Sequence, residues 1–196
     1  AGGRAEGIDE AIRHLMAQGR EYEDLGPILF GMEPADQVIR PTLLAEEQPP
    51  AQPLLRYRGN PVLHPVSEHY WESRYVLNPG AIHINGRVYL VYRAVGEDGI
   101  SRLGLAVSED GFNFSERLDK PVFEPATGSE SYGCEDPRLT LIGDRIYMAY
   151  TAYSRPVAQI ALASISVSDF VRYRWGGWHR HGLVFPGFTD KDAALF

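Results

Sequence analysis

From residue 54 onward the chain is a series of short apolar runs with period-two alternation. Residues 88–92 (Val-Tyr-Leu-Val-Tyr), 103–107, 146–150 (Ile-Tyr-Met-Ala-Tyr) and 160–164 are rich in aliphatic and aromatic side chains and read as strands. Asn85-Gly86 and Gly143-Asp144 stand just ahead of two of these runs, where hairpin turns are needed. Before residue 54 the pattern is different. Ile8, Ala11, Ile12, Leu15 and Met16 form a stripe at helical spacing, with Asp9 and Glu10 in the first turn and Gly19 able to end it. An amphipathic helix is predicted over 8–19. Between residues 27 and 53 the periodicity dissolves into prolines, acids and short apolar pairs, which fits an extended arm over a larger body and a disordered tail equally well. The predicted division is therefore a helix and proline-rich arm over 1–53 and a β domain over 54–196.

The β region repeats. With Pro79 laid on Pro137, residues 86–94 fall on 144–152, and Leu103-Gly-Leu-Ala106 falls on Ile160-Ala-Leu-Ala163. Each unit closes on Pro121-Val-Phe-Glu-Pro125 or Leu183-Val-Phe-Pro186, and a third such segment, Asn60-Pro-Val-Leu-His-Pro65, stands ahead of the first unit. The spacing of about 58 residues gives room for four strands and their loops, the size of a β-propeller blade. A two-sheet sandwich also has frequent strands but does not repeat its sequence at this spacing. An all-β propeller is predicted. Two units and the start of a third fit between residues 54 and 196, whereas propellers close with about four or more blades. The remaining blades are expected after Phe196, or else from other chains. A start at Ala1 without methionine and a stop inside the apolar stretch 192–196 also suggest a segment of a longer protein.

Composition narrows the function. Apolar residues make up 44% of the 196 and charged residues 23%, a globular balance and not a disordered one. No apolar run approaches the roughly eighteen residues of a membrane span, so no membrane partner is expected. A net charge of -7 argues against a general nucleic-acid binder, which needs a basic face. Cys134 is the lone cysteine, too few for a disulfide framework or a multi-cysteine zinc site. A cytoplasmic location is expected, and the apolar side of helix 8–19 is a candidate for self-association into a homo-oligomer.

In a propeller the first strand of each blade lines the central channel. The repeat puts Asn78, Asp136 and Asp192 at equivalent positions, each opening an inner strand. Asn or Asp ahead of proline also builds turns through its own backbone, an equal reading for Asn78 by itself. Glu135-Asp136-Pro137-Arg138 holds more functional side chains than a turn requires. Strand alternation predicts Glu135 and Asp136 on opposite faces, and Arg138 on the face of Asp136, where its charge favours an ionised carboxylate. Lys120 and Lys191 are the only lysines in a chain that otherwise uses arginine, which singles out Lys191; the alternative is a surface lysine between Asp190 and Asp192.

Several pieces carry a family resemblance: Arg58-Gly-Asn-Pro-Val-Leu63, Val76-Leu-Asn-Pro-Gly-Ala-Ile82, Tyr89-Leu-Val-Tyr-Arg-Ala94 and Ser101-Arg-Leu-Gly-Leu-Ala-Val-Ser108. They continue with Gly133-Cys-Glu-Asp-Pro-Arg-Leu-Thr140, Met148-Ala-Tyr-Thr-Ala-Tyr153 and Lys191-Asp-Ala-Ala-Leu-Phe196. In this order, over residues 56–196, the chain resembles glycoside hydrolase family 130, the mannoside phosphorylases and related β-mannosidases. The resemblance implies a five-bladed propeller, of which the chain holds the first two to three blades, with the sugar site in the central funnel. It implies Asp136 as the single general acid, acting through a hydroxyl of the bound mannose. Inorganic phosphate, a co-substrate and not a cofactor, then attacks the anomeric carbon from the other face to give α-mannose 1-phosphate. By similarity Asn78 and Arg93 hold the mannosyl unit, Lys191 contacts sugar or phosphate, and Asp192 binds the sugar. Arg138 is a further candidate for binding phosphate or modulating the acid.

The chemistry agrees with that assignment. An inverting displacement by an anion needs one acid and cations opposite it, and no carboxylate base. Hydrolysis by water, as in a β-mannosidase, needs such a base, which would lie downstream. Two further readings are a propeller glycosidase of the arabinanase or fructosidase type and a non-catalytic carbohydrate-binding module. The Glu-Asp-Pro-Arg context disfavours the glycosidase, and the intact set of Asn78, Arg93 and Asp136 disfavours the binding module. Tyr89, Tyr92, Tyr147 and Tyr150 recur with the repeat and are read as strand packing. Trp71, Trp175 and Trp178, in predicted loops, are candidates to stack on a sugar. His179 and His181 lack a third ligand, so no metal site is expected. Ser108 and Ser166 lack a nucleophile elbow. Residues 96–99 and 108–111 read as turns.

Overall fold

The computed structural model describes residues 55–195, so the predicted helix 8–19 and the arm at 27–53 lie outside the described residues. Eight strands follow one another: β1 (Tyr75–Ile84), β2 (Arg87–Val95), β3 (Ser101–Ser108), β4 (Glu116–Arg117), β5 (Gly133–Ile142), β6 (Arg145–Tyr153), β7 (Ala158–Ser166) and β8 (His179–Leu183). A short α-helix, α1 (Val167–Phe170), follows β7. All eight strands belong to one sheet in the order β1-β2-β3-β5-β6-β7-β8, with β4 beside β3. The sheet narrows sharply in the middle. β3 meets β5 through one parallel pair, Ser101 with Gly133, whereas every other neighbour is antiparallel. The described residues thus form two antiparallel four-stranded meanders, β1–β4 and β5–β8, joined at a corner. Among the described residues the sheet does not close on itself.

The meanders match the sequence repeat. Asn85-Gly86 and Gly143-Asp144 make the two tight turns, with Asn85 at φ +51° and both glycines at positive φ. The four predicted runs lie inside β2, β3, β6 and β7, which extend by one to three residues at either end. The inner strands begin earlier than expected: Asn78 and Asp136 sit three residues into β1 and β5 and do not open them. The first unit closes weakly. β4 has two residues, and the segment at 121–125 adds only a bridge from Phe123 to Leu103.

Alternation assigns each face. On β2 and β3, Tyr89, Val91, Leu103, Leu105 and Val107 enter the larger core, where Ile146, Met148, Tyr150, Ala161, Ala163 and Ile165 of the second meander join them. The opposite face of the first meander buries Trp71, Tyr92, Ala94 and Ala106. Both faces of β2 and β3 are therefore covered, which is why their sequences read as nearly unbroken apolar runs. At about 25 cal/mol per Å² of apolar surface removed from water, this face-to-face packing is the main force holding the meanders together.

A second device recurs in both units. Glu72 and Glu130 are fully buried and 58 positions apart. Glu72 Oε2 accepts from the Tyr92 hydroxyl at 2.9 Å and pairs with Arg117 at 2.5 Å. Glu130 Oε1 accepts from the Tyr150 hydroxyl at 2.6 Å and pairs with Arg180 at 2.5 Å. Each arginine also donates to the carbonyl ahead of a closing-segment proline, Arg117 to His64 at 2.7 Å and Arg180 to Glu124 at 2.6 Å. Each triad ties the segment entering a meander to its second and fourth strands. Burial pushes both tyrosine hydroxyls above their usual pKa, so they stay donors.

Candidate active site

β1 and β5 carry a bulge at the same place. Leu77 pairs with Arg93 and Gly80 with Val91, so Asn78 and Pro79 oppose Tyr92 alone. Glu135 pairs with Thr151 and Arg138 with Ala149, so Asp136 and Pro137 oppose Tyr150 alone. Two residues against one bend a strand and re-aim its side chains. The backbone turns left-handed at both, with φ +44° at Asn78 and +51° at Asp136, and it does so again at Asp192, φ +66°. Asn and Asp tolerate this region best among residues with a Cβ. Such strain persists where the surroundings impose it, and it concentrates at functional sites. The three positions equated by the repeat therefore share one backbone conformation, although residues 191–195 form no strand. The two bulges also face each other closely: a Cβ on Gly80 would lie 2.5 Å from the Pro137 carbonyl oxygen. Glycine is required there.

Between the bulges a charged cluster assembles. The Asn78 amide donates to Asp136 Oδ1 at 2.8 Å. Arg93, from β2, reaches Asp136 Oδ1 through Nη1 at 3.4 Å and Glu135 Oε1 through Nη2 at 2.6 Å. Lys191 Nζ lies 3.2 Å from Asp136 Oδ2 and 3.7 Å from Glu135 Oε2. Ser101, from β3, accepts from Arg93 Nε at 3.0 Å and donates to Glu135 Oε1 at 3.0 Å. Asp136 is 3% exposed and Glu135 5%, whereas Lys191 stays partly open to solvent. Burial by itself would push the Asp136 carboxyl up. The Asn78 hydrogen bond and the Arg93 and Lys191 charges together outweigh it and hold the group below its ordinary value. Burial likewise disfavours charged Lys191, and the two carboxylates outweigh that, raising it. In the free site Asp136 is an anion and both cations are charged.

Four of the predicted residues, Asn78, Arg93, Asp136 and Lys191, thus come together. Asp192 stands beside Lys191 with an exposed side chain and no hydrogen bond among the described residues. Arg138 does not pair with Asp136: its guanidinium donates to the carbonyls of Pro79 at 3.4 Å and Pro137 at 3.3 Å. The predicted opposition of Glu135 and Asp136 is also corrected, since both carboxylates meet Arg93 and Lys191. One cause serves both differences. The bulge inserts a residue and Asp136 turns left-handed, so strict alternation fails between 135 and 138. Ser101 opens one of the family-like pieces, but nothing in the sequence marks it as a site residue.

Other candidates resolve as structure. Trp71 is fully buried, stacks on Tyr92 and donates its indole N–H to the Asp119 carbonyl at 2.9 Å, so it offers no sugar platform. Trp175 and Trp178 pack edge-on against Phe170 at the margin of the larger core. His181 hydrogen-bonds Ser164 at 2.9 Å. Ser108 accepts from the backbone of Asp110 and Gly111, and Ser166 caps α1 by accepting from the Asp169 N–H. Burial pushes the Cys134 thiol far up, which leaves it unreactive.

The family described as beta-1,4-mannooligosaccharide phosphorylase matches residues 47–192. A 1,2-beta-oligomannan phosphorylase from a Thermoanaerobacter species is 42% identical over 154 residues, which cover 73% of this chain and 49% of the relative. A beta-1,2-mannobiose phosphorylase from the same organism is 36% identical over 156 residues, covering 72% and 49%. The chain spans about half the length of these curated relatives. Among solved structures, a member of the GH130 family of mannoside phosphorylases aligns with TM-score 0.58 and 31% identity, over 69% of this chain and 42% of that one. That family is described there as containing glycoside hydrolases that target beta-1,2 mannosidic linkages in Candida mannan.

Proposed function

The chain belongs to glycoside hydrolase family 130, and from that membership we propose that it carries the mannosyl-binding half of an enzyme that phosphorolyses β-linked mannosides with inversion. The observation that carries this reading is the placement of Asp136 on a strand bulge, nearly buried, in contact with Asn78, Arg93 and Lys191 at once. The two meanders are the first two blades of a five-bladed propeller, and the cluster sits where their inner strands meet. The β-1,2 linkage is the proposed substrate, because both phosphorylase relatives are named for it.

Asn78 and Arg93 orient the mannosyl ring. Asp136, having taken up a proton from solvent as the substrates bind, gives it to a ring hydroxyl, which passes its own to the glycosidic oxygen as the bond from that oxygen to the anomeric carbon breaks. A phosphate oxygen bonds to the anomeric carbon from the opposite face, giving α-mannose 1-phosphate. The free-site anion at Asp136 fits this order of events. A sugar hydroxyl replaces part of the contact with Asn78, and phosphate draws on the charge of Lys191. Each change removes something that favours the ionised carboxyl, so substrate binding itself raises the proton affinity of Asp136.

The test uses the protein expressed from its complete reading frame, with β-1,2- and β-1,4-mannobiose, with and without inorganic phosphate. Mannose 1-phosphate formed from the β-1,2 disaccharide only when phosphate is present is the expected result. Free mannose released equally in both tubes would instead make the enzyme a β-mannosidase.

A further inference from the structure

Glu135 has no assigned part in the proton transfer or the sugar contacts proposed above, and yet its surroundings are specific. Its Oε1 accepts from Arg93 Nη2 and from the Ser101 hydroxyl, while the same hydroxyl accepts from Arg93 Nε. Arginine, serine and glutamate close a ring of three hydrogen bonds, which leaves Arg93 Nη1 directed at Asp136. The ring spans the corner between the two meanders, with Ser101 in the parallel pair that joins them.

Comparison with the second unit separates fold from function. The buried Glu–Tyr–Arg triad occurs in both meanders and serves both alike. The Glu135 ring occurs once among the described residues. The ring joins β2 and β3 of one meander to the inner strand of the next, so by repeat position and strand register its counterpart in the second meander consists of Thr151, Ala158 and, since Asp192 is the equivalent of Asp136, Lys191. None of the three can form the ring. A network that packing of a meander required would be expected in both. This one stands only where Asp136 stands.

We infer that Glu135 is a positioning residue that fixes the guanidinium of Arg93 and, by sharing Arg93 and Lys191 with Asp136, keeps that neighbour able to carry a proton. This rests on the reading of Asp136 as the acid. The groups facing the pair are Asn78 from β1, Arg93 from β2, Ser101 from β3, Thr151 from β6 and Lys191 from the C-terminal segment; Asp192 flanks Lys191, and the protonated Cys134 thiol adjoins Glu135. Two cations stand against two carboxylates, so the cluster is balanced. Without the Glu135 charge both cations would act on Asp136 alone, and the like-charge repulsion that favours protonation would be lost.

The experiment compares the pH dependence of kcat for wild type, Glu135→Gln and Glu135→Asp at saturating mannoside and phosphate, because that profile reports the acid in the substrate complex, where Asp136 carries its proton. The proton equilibria of phosphate are common to all three and cancel. Glu135→Gln should move the alkaline limb to lower pH by about one unit or more, and Glu135→Asp should return it toward wild type. A uniform loss of rate with the limb unmoved, or a limb moved to higher pH, would overturn the inference. If Glu135→Gln does not fold, Glu135→Asp still decides: its shorter side chain frees Arg93 and should raise KM for the mannoside with the limb in place. An unchanged KM would overturn the positioning role. Failure of the underlying reading looks different, because then Asp136→Asn retains turnover or wild type makes no mannose 1-phosphate.

Discussion

The Asp136 carboxyl sits among an amide and two cations, each favouring its ionised form, while its nearly complete burial disfavours that form. This opposition makes its proton affinity adjustable by single neighbours. Asp136→Asn keeps the shape and the Asn78 contact but has no proton to give. It should lower kcat/KM by about 10²–10⁴-fold, the range of a general acid, with an unchanged melting profile by circular dichroism. Near-normal turnover would remove Asp136 from that role. Lys191→Met gives the opposite sign to Glu135→Gln. Loss of a cation 3.2 Å from Asp136 lets the carboxyl hold its proton to higher pH. The alkaline limb should therefore move upward while KM for phosphate rises. A limb moved downward would show that Lys191 does not act on the acid.

Strands and bulges decide which residues can meet, and here the two repeated devices divide the work. The bulges of β1 and β5 aim Asn78 and Asp136, and the Glu–Tyr–Arg triads hold the residues opposite those bulges, Tyr92 and Tyr150. Glu130→Ala leaves Arg180, whose side chain is 24% exposed, without its anion, so the loss should fall below the roughly 3–5 kcal/mol of a fully buried pair, at about 1–3 kcal/mol. Tyr150→Phe removes one hydrogen bond to Glu130 and should cost about 1–3 kcal/mol. Urea unfolding midpoints measure both, and a Glu130→Ala midpoint equal to wild type would mean that the triad is not structural. The sequence made some of this legible. The spacing from Pro79 to Pro137 exposed the units and equated Asn78 with Asp136, and family motifs selected Arg93 and Lys191. Period-two alternation failed for Glu135 and Arg138, since one inserted residue reverses every inference about sides beyond it. The triads escaped for another reason. Their glutamates precede the aligned prolines, and their arginines stand 63 positions apart, not 58, because the loops before β4 and β8 differ.

At the scale of the whole molecule, charge and closure have to be considered together. Arg93 and Lys191 are already balanced by Glu135 and Asp136, so a phosphate dianion brought to this cluster finds no net positive charge. Further cations must face it, and charge-assisted contacts to phosphate require them within hydrogen-bond reach. The relatives are about twice as long as the aligned region, and the sheet formed by β1–β8 does not close. On the proposed five-bladed reading, those cations come from blades opposite the two meanders. A monomer of residues 1–196 by itself should therefore bind mannose 1-phosphate weakly and turn over no mannobiose. Activity should appear only when more sheet is supplied, by a longer reading frame or by further copies. The check is specific activity across a dilution series of the 196-residue chain, with its mass followed by light scattering. Silence at the monomer mass, with turnover from the complete reading frame under the same conditions, is expected. If activity instead rises with self-association, the ring is completed by copies. Full turnover by a monomer would mean that Arg93 and Lys191 hold phosphate unaided, and that the charge balance drawn from Glu135 is wrong.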